Sequence, residues 1–357
     1  MELGIVGLPQ AGKKTVFELL TGVAADKAPT RKGLAIGTAA VRDPRIDTLS
    51  GMYNPKRTKY AEFQIVLLPD MVPGAERSSD WLETVRRVDA LVEVVRAFPA
   101  PHVPHLKGTV DPARDAQILS TEFGFADFAM VETRLERLAK ESIKGKAVND
   151  LPEREKELLE RCRTHLEAEK PLSRLEMTAE EEKLIRSLQF LTRKPTLVVL
   201  NAGEDLAAAK AEFAAVQGRL EAEGISVALL SAAIERELAE LPAEERQAFM
   251  ADLGIAEPAS HRLSRAAYES LGLISFFTVG PDEVRAWPVR RGAKAPEAAG
   301  KIHTDIERGF IRAETVAGAD LLRAGSERQA KADNLYALNG KDYVVRDGDV
   351  IEFRFNV

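Results

Sequence analysis

Cysteine is almost missing from this 357-residue chain: Cys162 is the single one. One thiol closes no internal disulfide, so export to an oxidising compartment is not indicated. Within "KELLERCRTHLE", Leu158, Cys162 and Leu166 are four apart. That spacing reads as a small apolar side chain on a buried helix face rather than a reactive thiol. Long apolar runs are missing too, since none reaches the ~18–20 residues a membrane helix needs. The opening "ELGIVGLP" reads as a strand rather than a signal peptide, so the cytoplasm is the expected location and no membrane partner is expected. Charge of one sign is lacking: the formal charge is -6 with 30% charged residues. That excludes indiscriminate nucleic-acid binding by the whole surface, though not a local basic patch. No G-x-G-x-x-G follows the first apolar run, which disfavours a dinucleotide dehydrogenase.

What is present suits a globular protein with substantial cores. Hydrophobic residues make up 45% of the chain, and at about 100–200 residues per domain the length predicts two or three domains. Apolar runs at 2–7, 60–70, 87–98, 194–205 and 225–234 read as buried strands. They alternate with helical segments, which predicts an α/β fold with a mostly parallel sheet covered on both faces. Between 122 and 193 the composition shifts to Glu, Lys, Arg and Leu. Leu159, Cys162 and Leu166 follow a 3-then-4 spacing, which predicts an inserted arm of two or three long antiparallel, coiled-coil-like helices. Thr178 precedes Glu181 by three, a capping box, and Asn149 or Asp150 is a cap ahead of Pro152. From 276 onward, "ISFFTVG", "VRAWPV", "FIRAETV", "DYVVRDGD" and "VIEFRFNV" read as short strands, with one helix in "APEAAGKIHTDIERG". The expected domains are thus a sheet domain in two parts, 1–121 and 194–275, the arm at 122–193, and a small mixed-sheet domain at 276–357.

The chemistry concentrates in one loop. Gly7-Leu8-Pro9-Gln10-Ala11-Gly12-Lys13 fits G-x-x-x-x-G-K between a strand and a helix. Its glycines free backbone N–H groups to face a phosphate, the helix N-terminus adds positive charge, and Lys13 reaches the outer phosphates. The next position normally carries the hydroxyl that binds Mg²⁺, and here it is Lys14, an ammonium. Thr15 has a hydroxyl, but it lies ~100° further around the helix; it is the possible metal ligand that remains. Downstream, strand "TLVVL" ends in Asn201-Ala202-Gly203-Glu204. An Asn amide can pair with adenine N6 and N7, and Glu204 is one methylene longer than the Asp that reads guanine. Ser231-Ala232 after the next strand fits a loop behind the base.

Together these motifs resemble the YchF / Obg-like ATPase family, within the Obg-related P-loop proteins. The family shows G-L-P-N-V-G-K-S-T where this chain has "GLPQAGKKT", and N-x-x-E where it has Asn201 and Glu204. "SLQFLTRKPTL", "FFTVGPDEVRAW", "KIHTDIERGFIRAE" and "GKDYVVRDGDVIEFRFNV" resemble its later regions, the last three its TGS domain, a ubiquitin-like β-grasp module. The resemblance covers nearly the whole chain. It implies a P-loop NTPase sheet with an inserted arm and a C-terminal TGS domain. It also implies a cytoplasmic protein, expected to be monomeric, that prefers ATP to GTP, hydrolyses it slowly and associates with ribosomes or RNA.

Departures from the family bear on turnover. Matching its D-I-A-G-L-V-K-G-A to "LLPDMVPGA" puts Leu67 at the Asp and Asp70 at the Gly, and the following "ERSSDW" is shortened. Thr30 lies near the first switch threonine. His105, in "HVPHLKGTVDP", falls on the family's histidine, which implies a role in orienting or deprotonating a water; a loop histidine without a role is the alternative. With Lys14 and Leu67 at both usual metal positions, three readings stand open: a slow ATPase, a nucleotide binder without turnover in which Lys14 replaces the ion, and a ribosome or RNA adaptor acting through the TGS domain and arm. Residues 285–312 carry seven Lys/Arg against three Asp/Glu; with only Trp287 and Phe310 as aromatics there, base stacking is not supported.

Overall fold

The computed structural model describes residues 2–74, 79–100, 102–143 and 151–356. The chain opens with β1 (Glu2–Val6), α1 (Lys13–Thr21), β2 (Thr30–Arg31), β3 (Leu34–Val41), α2 (Pro44–Tyr53), β4 (Arg57–Lys59) and β5 (Ala61–Leu67). Then follow α3 (Ser79–Arg87), β6 (Ala90–Ala97), α4 (Pro112–Ile143), α5 (Leu151–Glu167) and α6 (Ala179–Ile185). Next come β7 (Thr196–Ala202), α7 (Leu206–Ala222), β8 (Ser226–Leu230), α8 (Ala232–Glu240), α9 (Ala243–Asp252) and α10 (Ala259–Ser270). The last third holds β9 (Leu273–Thr278), β10 (Glu283–Arg290), α11 (Ala295–Ile302), α12 (Thr304–Arg308), β11 (Phe310–Ala317), α13 (Gly318–Ala324), α14 (Glu327–Ala332), β12 (Ala337–Asn339) and β13 (Asp349–Phe355).

Two compact units emerge: Met1–Gly37 with Ile65–Ala256, and Thr38–Gln64 with Glu257–Val357. Composition alone places the last boundary at 275/276 and 38–64 with the first part of the sheet domain. Edge strand β4 explains why 38–64 groups elsewhere: it pairs in parallel with β10, Arg57 opposite Glu283.

In the first unit the sheet runs β2-β3-β5-β1-β6-β7-β8. Pairs β1–β6, β6–β7 and β7–β8 are parallel, which sets the carboxyl ends of these strands on one edge. β6 is buried along its whole length, the near-continuous apolar pattern of a strand covered on both faces. β2 and β3 were not anticipated; Thr30-Arg31 is too short to carry a pattern.

The arm begins earlier than composition suggested. α4 starts at Pro112, and Ala116, Leu119 and Phe123 pack with Val95 and Leu200 in the sheet core. Further along the same helix, Val131 and Leu138 join a second cluster with Leu158, Leu159, Cys162 and Leu166 of α5. A single helix thus serves two cores, because its apolar face runs on past the sheet. At α6 the capping box forms: Glu181 N–H donates to Thr178 Oγ1 at 3.2 Å and Thr178 N–H to Glu181 Oε2 at 2.7 Å. The cap expected at Asn149 or Asp150 lies outside the described residues. Where the arm meets the sheet, Asp127 is fully buried and accepts from Arg86, Leu191 N–H, Thr192 N–H and Thr192 Oγ1.

The second unit is the β-grasp domain, with sheet order β12-β11-β13-β9-β10-β4. Phe276, Phe310, Phe353 and Ile351 build its core against α11. The single expected helix is two: His303 has extended backbone, φ -161, and its ring nitrogen accepts from Asp305 N–H to start α12. "DYVVRDGD" is not a full strand: it makes a single antiparallel bridge, Val344 opposite Lys294, and then turns into β13. There Asp349 accepts from Tyr343 Oη and Arg346 N–H, and Gly348 sits at φ 88.

Candidate functional site: the phosphate loop

The loop joining β1 to α1 is shaped by two close approaches. A Cβ on Gly7 would stand 2.4 Å from the Val94 carbonyl oxygen, and one on Gly12 would stand 2.2 Å from the Asn201 side-chain nitrogen. Gly12 also has φ 96, the left-handed region where glycine carries no Cβ penalty. Gln10 adopts φ 62, so the loop turns its backbone sharply twice. No side chain caps α1, which leaves its first N–H groups available for an anion beside the positive end of the helix dipole.

Lys13 is 5% exposed, and its ammonium donates to the Gly7 carbonyl at 2.9 Å, the Leu8 carbonyl at 2.8 Å and Asp70 Oδ1 at 2.5 Å. Three donors serve three acceptors, so this ammonium is saturated. Burial, helped by nearby Lys14, pulls Lys13 below its usual value, and Asp70 opposes that shift. Lys14 itself is exposed and makes no hydrogen bond or ion pair among the described residues. Thr15 is half-buried.

Asn201, at the carboxyl end of β7, is 3% exposed. Its Nδ2 donates to the Ala11 carbonyl at 3.0 Å and its Oδ1 accepts from Ala232 N–H at 3.0 Å. Ser231 is buried and caps α8 by accepting from Ile234 N–H at 3.4 Å. The structure therefore brings Gly12, Asn201, Ser231 and Ala232 together. Each end of the Asn201 amide makes one backbone bond, so it is a strut between the phosphate loop and the β8–α8 turn, with its second N–H and second lone pair still available. Glu204 stays exposed at the same edge.

His105 lies in the loop between β6 and α4. Its side chain is 4% exposed, Nδ1 accepts from Lys107 N–H at 3.1 Å, and Nε2 lies 2.8 Å from Asp115 Oδ2. This contact and the Lys107 bond place the ring between the loop after β6 and the first turn of α4.

The donor set does not fit a magnesium site built on the usual positions. Lys14 presents an ammonium, Leu67 an alkyl chain, and the carboxylate at hand, Asp70, is engaged by Lys13. Among the described residues no cluster of three or more His, Cys, Asp or Glu could hold a metal. Part of the "ERSSDW" switch, and Ala75 before it, lie outside the described residues. The Asp70 contact was invisible to sequence reading: its signal, an acid three residues past the end of a strand beside β1, is common and gains meaning only from the pairing of the strands.

Comparison with known proteins follows the same lines. A family model, YchF-GTPase_C, described as "Protein of unknown function (DUF933)", matches residues 273–356. The chain is 41% identical to the Ribosome-binding ATPase YchF of Bacillus subtilis (strain 168) over 99% of both chains. It is 36% identical to Obg-like ATPase 1 of Oryza sativa subsp. japonica, over 100% of this chain and 92% of that one. Among solved structures, that of the Schizosaccharomyces pombe YchF GTPase superposes with a TM-score of 0.86 at 30% identity, covering 99% of this chain and 97% of that one.

Proposed function

The chain belongs to the YchF / Obg-like ATPase family, and from that premise we propose that it is an adenine-nucleotide-binding P-loop protein of the ribosome, with slow hydrolysis at best. The observation that carries the nucleotide reading is the braced loop: Gly7 and Gly12 turned toward an uncapped helix N-terminus, with Asn201 locking Ala11 to Ala232. Slow turnover follows from the donor set. Phosphoryl transfer depends on positioned charge around the leaving and attacking oxygens, much of it from Mg²⁺. Here Lys14 is the unpaired cation beside the loop, and it neutralises phosphate charge in the ion's place. Preference for ATP over GTP is supported by Glu204, whose extra methylene displaces the carboxylate from where an Asp would meet guanine, and by relatives named as ATPases. The ribosome as partner is supported by the names of the bacterial relatives.

Equilibrium binding of ATP and GTP, each with Mg²⁺ and with chelator, tests this reading. ATP is expected to bind more tightly than GTP, with chelator weakening ATP by less than about threefold. A loss on the order of a hundredfold with chelator removes the role given to Lys14. Hydrolysis no faster than that of a Lys13→Ala variant makes the protein a binder without turnover. Co-sedimentation with ribosomes, repeated after Arg290→Ala and Arg291→Ala, tests the basic face of the β-grasp domain.

A further inference from the structure

We infer that the cavity between α4, α7 and the start of β7 is a second ligand site, for a small neutral heterocycle of nucleobase type, and that Glu93 reads the hydrogen-bonding edge of that ligand. The site is separate from the phosphate loop. That loop follows the carboxyl end of β1, whereas Thr196 opens β7 and Ile225 immediately precedes β8. The cavity therefore reaches toward the opposite, amino-terminal edge of the same parallel strands.

Glu93 is the anomaly that marks it. β6 is buried from end to end, and Glu93 is its only carboxyl. In register beside it stand Val6 of β1 and Val198 of β7, whose side chains offer nothing to donate or accept. The residue is 6% exposed, and among the described residues its side chain makes no hydrogen bond or ion pair. A polar group enclosed without a partner is costly, and this one lines a cavity that can hold the missing partner.

The cavity measures about 280 Å³, below the ~300 Å³ at which pockets for drug-sized ligands begin, so one or two rings fit. Phe123, Val198 and Leu220 make its buried walls apolar, while Arg219 and Glu223 of α7 stand exposed at its mouth. Burial lifts the Glu93 carboxyl to about 8, so at neutral pH it is an acid with one O–H to donate and one carbonyl oxygen to accept. A Gln amide has the same donor-and-acceptor pair and meets adenine through two bonds. The other charged groups around the cavity are Arg193, Lys194 and Arg219 against Glu223, and α4 adds only the neutral Gln117 and Ser120. Three cations to one exposed acid disfavour a cationic ligand. Lys194 is turned aside, its ammonium donating to the Arg86 and Val88 carbonyls at 2.8 and 2.6 Å. The occupant is thus a flat, uncharged ring carrying an N–H donor next to an acceptor nitrogen.

Ligand-observed NMR titration of the full chain tests this, with 9-methyladenine and with 9-methylpurine, which lacks the amino group. 9-Methyladenine should bind at about 1 mM or tighter, and at least about tenfold more tightly than 9-methylpurine. Glu93→Leu should lose at least about tenfold, while Glu93→Gln, which keeps a donor and an acceptor, should stay within about threefold of the wild type. Raising the pH from about 6.5 to about 9.5 should weaken the wild type at least about tenfold and leave Glu93→Gln unchanged. Lys194, lowered by burial to about 8, titrates in both proteins, so the contrast between them isolates Glu93. Melting curves confirm that both variants fold. Equal affinity for the two ligands, a Glu93→Leu variant that binds like the wild type, or a Glu93→Gln variant that binds as poorly as Glu93→Leu overturns the proposal. So does a wild type that binds neither ligand, which leaves a cavity for water alone.

Discussion

Gly12 and Asn201 interlock: the Asn201 amide nitrogen fills the place a Gly12 side chain would take, 2.2 Å from an ideal Cβ, and donates to the Ala11 carbonyl beside it. Each residue therefore depends on the other. Asn201→Ala strands the buried Ala11 carbonyl and Ala232 N–H, at about 1–3 kcal/mol for each unsatisfied group. The expected outcome is a lower melting temperature and nucleotide affinity weakened by about tenfold or more. Gly12→Ala should match the affinity loss, because the new methyl group drives the strut away. Thermal melting paired with equilibrium dialysis checks both, and a variant that melts and binds like the wild type would contradict the strut.

Lys14 makes a separate prediction. Replacing it by serine restores the hydroxyl that P-loops ordinarily offer the metal. In chelator, Lys14→Ser should bind ADP about three- to tenfold more weakly than the wild type, since one point charge beside the phosphates is lost. Adding Mg²⁺ should help the variant more than the parent. Titration calorimetry with and without the ion reads the difference directly.

The buried pair Arg86–Asp127, 3.0 Å apart, joins α3 to α4 and the chain leaving the arm. Burial pushes the Asp127 carboxyl up, and the Leu191 and Thr192 N–H groups with Arg86 oppose that. Arg86→Ala removes the cation and leaves the carboxylate enclosed, for a cost of about 3–5 kcal/mol. Denaturant unfolding should show this loss, and Asp127→Asn in the Arg86→Ala background should recover part of it.

Glu93 provides a pH signature. It lies in the middle of β6, is 6% exposed, and lines a cavity of about 280 Å³ with Phe123, Thr196 and Ile225. Burial alone lifts its carboxyl from 4.5 to about 8. The native state therefore keeps a proton that the unfolded chain releases. Its contribution is fully present below pH 4.5 and is lost progressively as pH rises toward about 8. Glu93→Gln carries no such penalty. By differential scanning fluorimetry it should melt higher than the wild type at pH 8.5, by roughly 5 °C, with the gap closing at pH 5. A gap that does not depend on pH would mean that Glu93 is not buried as a neutral acid.

Much of this could be read from the letters. The strands at 61–67, 90–97, 196–202 and 226–230 are long apolar runs bounded by loops, a pattern that burial on both faces imposes directly. The phosphate loop was legible because its glycines and lysine sit at a spacing fixed by local backbone geometry. The short strands β2, β4 and β12 were not legible, since two or three residues carry no period; they form only because a partner strand is present. His303 broke an expected helix for a similar reason: its side chain caps the next helix, a competition between local bonds that periodicity does not show.

The sequence alone determined the fold class and the phosphate-loop spacing, and it puts Lys14 and Leu67 where the family resemblance implies metal ligands, because each depends on residue type within a short window. Tertiary structure alone decided what the side chains do there. It made Asn201 a strut between Ala11 and Ala232, placed His105 against Asp115, and set Asp70 on Lys13. These contacts join residues from 10 to 190 positions apart. The order of strands in the sheet brings Asn201 to Ala11 and Asp70 to Lys13, and that order is fixed by packing, not by any local pattern.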